Sequence, residues 1–89
     1  MLAVISVTGK DSVGIIADVS AKCREHNANI IDISQTVLQD FFAMIMLVEI
    51  DRLSCPFGEF IDAMDKLGQG RSLSIHTMHE DIFNAMHKI

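Results

Sequence analysis

Eighty-nine residues, 49% of them hydrophobic with one proline and five glycines, describe one globular domain with a thin core, to which any oligomer contact would add stability. Seven Lys and Arg against twelve Asp and Glu leave a net charge of −5 with the cations scattered along the chain, a field that repels a nucleic-acid backbone. Two cysteines in unrelated contexts and a longest apolar run of eight residues (41–48) argue against a disulfide framework and a membrane helix; with a first strand close to Met1, they predict a cytoplasmic chain.

Residues 2–8 alternate, with Ala3, Ile5 and Val7 on one face and Leu2, Val4, Ser6 and Thr8 on the other, which predicts a strand. Val13, Ile16, Val19, Ser20 and Cys23 then recur at three- and four-residue steps. That is the stripe of an amphipathic helix, with Asp11 or Ser12 as its cap and residues 26–29 as its end. Residues 30–38 are rich in β-branched side chains, with Ile31, Ile33 and Val37 on one face and Asp32, Ser34 and Thr36 on the other. A reversal at Gln39-Asp40 leads into residues 41–50, apolar on both faces, hence a central strand. Pro56 opens a second helix with Phe57, Phe60, Ile61, Met64 and Leu67 as its buried stripe and Gly68 or Gly70 as its stop. Residues 72–78 alternate again. Residues 79–89 read as a short helical tail whose apolar row is Ile82, Phe83, Met86 and Ile89; a segment that short needs something to dock on.

The order β-α-β-β-α-β with a hairpin in the middle predicts an α+β, ferredoxin-like sandwich over residues 1–89: a four-stranded antiparallel sheet, two helices on one face, and a C-terminal helix. The join between the first strand and helix is the first place to look for a ligand. A strand that breaks into Gly9-Lys10-Asp11-Ser12-Val13-Gly14 before a helix leaves backbone N–H groups free to meet a carboxylate or phosphate.

Gly9-Lys10-Asp11-Ser12-Val13-Gly14-Ile15-Ile16-Ala17, followed by His26-Asn27-Ala28-Asn29-Ile30 and Asp32-Ile33-Ser34-Gln35, resembles the ACT-domain family over residues 1–78. The tail from His79 to His87 resembles more narrowly the stand-alone ACT proteins related to glycine-cleavage repressor-like domains. The resemblance implies a regulatory module that binds a small metabolite, usually an amino acid, at a homodimer interface, with no cofactor and no catalysis. It implies a site made of Gly9, Lys10, Asp11, Ser12, Val13 and Gly14, with Asn29 and its neighbour Ile30 at the start of the second strand. One departure bears on the loop's shape: Val13 stands where many family members carry proline.

The residues themselves suit that chemistry. Free N–H groups after Asp11 and the unhindered backbone of Gly14 suit a carboxylate, Asn29 offers donor and acceptor, and Asp32 can receive an ammonium group. The plainer reading is that Gly14 permits close packing, Asp11 caps, Asn29 turns and Asp32 is solvated. A helix from about Ser12 to His26 is about 21 Å long and separates Gly14 from Asn29, so one amino acid can touch both only across two subunits. Facing Ile5, Val7, Ile31 and Ile33 toward the helices leaves an apolar row on the other sheet face, which the tail helix or a second copy has to cover.

Competing chemistries find less support. The His76–His79 spacing suits a metal pair only if the helix has begun by His79. RNA recognition needs strand aromatics and a basic rim that are missing. Phosphoryl transfer needs an arginine beside the first loop, where Lys10 is the only nearby cation in sequence, and no nucleophile-base set is apparent. The alternative to a ligand sensor is a ligand-free dimeric adaptor that docks a protein through the tail helix or sheet face.

Overall fold

The computed structural model describes residues 1–86; the tail residues His87, Lys88 and Ile89, including the last member of the apolar row, lie outside the described residues. In chain order the elements are β1 (Leu2–Lys10), α1 (Ile15–Glu25), β2 (Asn29–Leu38), β3 (Phe41–Glu49), α2 (Phe57–Arg71), β4 (Leu73–His79) and α3 (Glu80–Met86). The strands form one antiparallel sheet in the order β2-β3-β1-β4, so the doubly apolar β3 is central and β2 and β4 are the edges. This is the ferredoxin-like arrangement. Among the described residues, no helix is long and apolar enough to cross a membrane.

Cross-strand register fixes the faces. Ala3, Ile5 and Val7 stand opposite Val48, Met46 and Met44, all buried, and Ile5 and Val7 stand opposite Thr77 and Ile75 on the other side. These rows meet Ile15, Val19 and Cys23 of α1 and Phe60 and Met64 of α2 in one core, so both helices lie on the same sheet face. Cys23 Sγ sits 3.9 Å from Met46 Sδ, and the His26 ring meets Phe60 edge-on at 5.7 Å, joining the end of α1 to α2. Burial pushes the Cys23 thiol up to about 11, as expected of a core cysteine.

Several boundaries and faces differ from the sequence-based expectation. β1 runs two residues further, because Gly9 and Lys10 continue the ladder opposite Phe42 and Phe41. Glycine fits there because a Cβ at position 9 would meet Leu73 Cδ2 at 2.7 Å. In β2 a bulge between Ile30 and Asp32 makes Ile31 an extra residue and breaks the alternation. Ile31, Ile33 and Val37 therefore form no buried row; Ile31 is 51% exposed, and Ile33 and Val37 point to the helix side at an edge that α1 covers only in part.

Neither Gly68 nor Gly70 ends α2. The helix continues through both and stops at Ser72, which takes the left-handed conformation (φ 56°, ψ 38°). Gly68 marks instead the crossing of α2 over β4, where a Cβ would lie 2.7 Å from the Leu73 carbonyl oxygen. Pro56 precedes the helix rather than opening its first turn. Helix α3 contacts β1 and β4 but buries none of its residues, and Phe41 and Ile45 on the β3 face away from α1 and α2 stay about half exposed. Among the described residues, α3 contacts the β1 and β4 side of the sheet and leaves the β2-β3 half of that face open.

Candidate functional site

The connection from β1 to α1 is the short 11–14 loop, and three contacts set its shape. The Asp11 N–H donates to the Asp40 carbonyl at 2.7 Å, tying the loop to the β2-β3 turn, where Gln39 is left-handed at φ 58°. Gly14 is the residue before the helix and has φ 85°, a conformation glycine adopts at no steric cost. Finally, Arg71 at the end of α2 reaches across. Its Nη2 donates to the Val13 carbonyl at 2.6 Å and to Ser12 Oγ at 3.0 Å, while Nη1 pairs with Asp18 Oδ2 at 2.5 Å.

The expected caps are therefore absent: Ser12 is engaged by Arg71, and no side chain caps the start of α1. The first intrahelical bond runs from the Asp18 N–H to the Gly14 carbonyl, so the N–H groups at the head of the helix have no helical acceptor. They border a groove of about 240 Å³ lined by Asp11, Ser12, Gly14, Gln35, Val37 and Phe42 among others. The helix dipole favours an anion on this side of the loop, while the Arg71 charge is matched by Asp18 and Asp11 borders the groove. Val13, where proline was the family expectation, projects into solvent at 97% exposure.

The remaining predicted site residues lie elsewhere. Gly9 and Lys10 belong to the β1 ladder. Asn29 and Ile30 border a second groove at the opposite end of α1, with Asn29 opposite Glu49 and Ile30 opposite the core residue Val48. Asp32 stands opposite Leu47, on the sheet face away from the helices, and its Oδ1 accepts the Ile33 N–H at 2.9 Å. Within one chain, then, the loop is not brought together with Asn29, Ile30 or Asp32.

Gln35 and Phe42, which line the groove, and Arg71, which holds the loop, are residues that the sequence did not mark. No local signal marks Arg71, which ends a helix far along the chain. Its position also revises the charge argument made from sequence, since an arginine does stand beside the first loop. The histidines are occupied locally: His76 Nε2 lies 3.2 Å from Ser74 Oγ, and His79 Nδ1 accepts the Asp81 N–H at 3.1 Å. Among the described residues, no three His, Cys, Asp or Glu side chains gather to hold a metal ion.

Comparison with known proteins gives a consistent picture. The family model described as "ACT domain" matches residues 1–77. A UPF0237 protein from Methanopyrus kandleri is 44% identical over 87 residues, covering 98% of this chain and 97% of its own length. An ACT domain protein from Streptococcus pneumoniae superposes with a TM-score of 0.81 at 40% identity, covering 98% of both chains. A provisionally assigned glycine cleavage system transcriptional repressor shares the fold at a TM-score of 0.70 and 24% identity, covering 85% of this chain and 43% of its own.

Proposed function

This chain belongs to the ACT-domain family, which is regulatory in kind, and we propose that it acts in the cytoplasm as a homodimeric sensor of an amino acid or similar small carboxylate. The carrying observation is the uncapped head of α1, which borders a groove shared with Gln35 and Val37 of the edge strand β2. A ligand carboxylate accepts N–H groups there, with the helix dipole favouring its charge.

The second copy comes from the character of β2. It is a ten-residue edge strand with no proline and no lysine, exposed along nearly its whole length and carrying Ile31, Ile33, Val37 and Leu38. Such an edge is a ready template for pairing with another chain. A copy laid antiparallel along it brings its Asn29 end toward the first copy's loop, where the amide completes the shell and Asp32 is available to an ammonium group.

Light scattering at micromolar concentration should return twice the chain mass. Ile33→Lys, which puts a charge on the unpaired edge, should return a monomer that still folds. Thermal unfolding with each of the twenty amino acids at millimolar level should show a stabilising response in the native dimer that the Ile33→Lys variant loses. A native monomer, or no response to any amino acid, overturns this reading.

A second reading is favoured by α3, where Ile82 and Met86 are 56% and 65% exposed: an adaptor that docks a partner protein through this helix. Deleting residues 80–89 distinguishes the two. A retained dimer that no longer holds a partner in a pull-down, with no amino-acid response in the full chain, supports the adaptor.

A further inference from the structure

The end of the domain away from the 11–14 loop carries the larger groove, of about 680 Å³, lined by Ser20, Arg24, Asn27, Asn29, Glu49 and Arg52 among others. Two turns build it and are locked to each other. The Ser54 N–H donates to the His26 carbonyl at 3.0 Å, and Asn27, left-handed at φ 61°, donates its Nδ2 to the Arg52 carbonyl at 2.7 Å. That clasp holds Arg24, from the last turn of α1, and Arg52, from the turn after β3, at one opening.

Among the described residues neither guanidinium has a carboxylate partner, although acidic residues outnumber basic ones in this chain. Lys22 pairs with Glu25 at 3.0 Å, Arg71 with Asp18, and the Met1 α-ammonium with Asp51 at 2.9 Å, whereas among the described residues Lys10 and Lys66, like the two arginines, form no ion pair. Glu49 borders the groove, but its register opposite Leu2 and next to buried Val48 puts its side chain on the sheet face away from α1. The negative end of α1 does not require the arginines either. The carbonyls of Lys22, Cys23 and Arg24 already accept backbone N–H groups from His26, Ala28 and Asn27.

Two like charges held at one opening repel each other until an anion joins them. A guanidinium is a planar fork matched to phosphate oxygens, and two of them lining one groove from different turns suit a tetrahedral dianion. The groove's volume lies in the range of small-molecule sites and leaves room beyond a single phosphate. We propose that this groove binds the phosphate group of a small phosphorylated metabolite, with Arg24 and Arg52 donating to its oxygens and the free carbonyl of Asn27 and the Ser20 hydroxyl meeting the rest of the molecule. Within one chain it lies at the opposite end of α1 from the 11–14 loop; in the proposed dimer the partner's Asn29 end meets that loop, and variants of Arg24 and Arg52, which leave the loop residues untouched, keep the two readings distinguishable.

The test is an amide NMR titration of the whole chain with inorganic phosphate and with glycerol 3-phosphate, at constant ionic strength and pH 7.5. Saturable shifts confined to the two turns around residues 20–29 and 49–54 are expected. Arg24→Gln and Arg52→Gln, both at exposed positions, should each weaken binding about tenfold or more, and Lys66→Gln should leave it unchanged. Three results overturn the proposal: no saturation by about 20 mM ligand, equal binding in either arginine variant, or an equally strong response to acetate, which carries no phosphate.

Discussion

Gly68 and Gly70 lie two residues apart in the same helix, and the structure assigns opposite signs to the same substitution at the two positions. Replacing a helical glycine by alanine ordinarily gains about 0.5–1 kcal/mol, because alanine gives up less backbone freedom on folding. At Gly70 a Cβ meets nothing within 4 Å, so Gly70→Ala should realise part of that gain, about 0.5 kcal/mol this close to the helix end. At Gly68 the new carbon lies 2.7 Å from the Leu73 carbonyl oxygen and 3.0 Å from Ile75 Cγ1. The oxygen is part of β4 and cannot rotate away, so α2 must lift off the sheet by a few tenths of an ångström and loosen the contacts of Met64 and Phe60. Overpacking of this kind costs about 1–3 kcal/mol, which exceeds the propensity gain and leaves Gly68→Ala about 1–2 kcal/mol less stable. For a domain of this size that is a fall in Tm of roughly 4–16 °C, against a rise of roughly 2–4 °C for Gly70→Ala. Urea unfolding at fixed protein concentration with unchanged m-values is the assay. If the two variants move stability in the same direction, the close crossing of α2 over β4 is wrong.

Further outcomes follow from the loop and the core. Arg71→Ala removes an ion pair and two hydrogen bonds from a side chain that is 19% exposed, and should cost about 1–2 kcal/mol. Its signature is faster amide exchange at residues 12–16 than the global loss explains. Arg71→Lys should restore only part of the protection, since a point charge cannot reach all three acceptors; unchanged exchange in Arg71→Ala would contradict the latch. The Cys23 thiol, raised by burial from its ordinary 9.0 to about 11, sets an alkaline limit. Above pH 9 the unfolded chain loses the proton that the folded chain keeps, so stability should be complete below pH 9 and fall by roughly 2–3 kcal/mol as pH rises to about 11. Cys23→Ala should flatten that part of the pH profile.

Much of the architecture could be read from periodicity. β4 alternates because one of its faces is core, and β1 does so except at Val4, which is buried on the other face; β3 is apolar on both faces, although Phe41 and Ile45 stay about half exposed. β2 misleads for a specific reason: a bulge takes Ile31 out of the alternation without any local mark in the sequence, and Ile33 and Val37, though on the expected face, lie at the sheet edge and stay partly exposed. The end of α2 misleads differently. Glycine signals a helix stop only where positive φ is needed, and here Gly68 serves the approach of β4 while Ser72 takes the left-handed turn. For the candidate site, the loop's place was legible from its turn chemistry. Its true start after Lys10 and its tie to Arg71 were not, because they depend on Phe41, Phe42 and Arg71, which are near the loop only once the sheet has formed.

That tie has a consequence for how the loop comes into being. Residues 1–40 contain the strand, the loop, the first helix and the edge strand, yet the guanidinium that fixes Ser12 and Val13 arrives only with the last turn of α2. The loop's shape is therefore a property of the assembled domain, complete only once the end of α2 has docked beside it. An excised β1-α1-β2 fragment would carry every residue of the loop without its geometry. Grafting this loop onto another scaffold would have to bring along the far end of a helix as well.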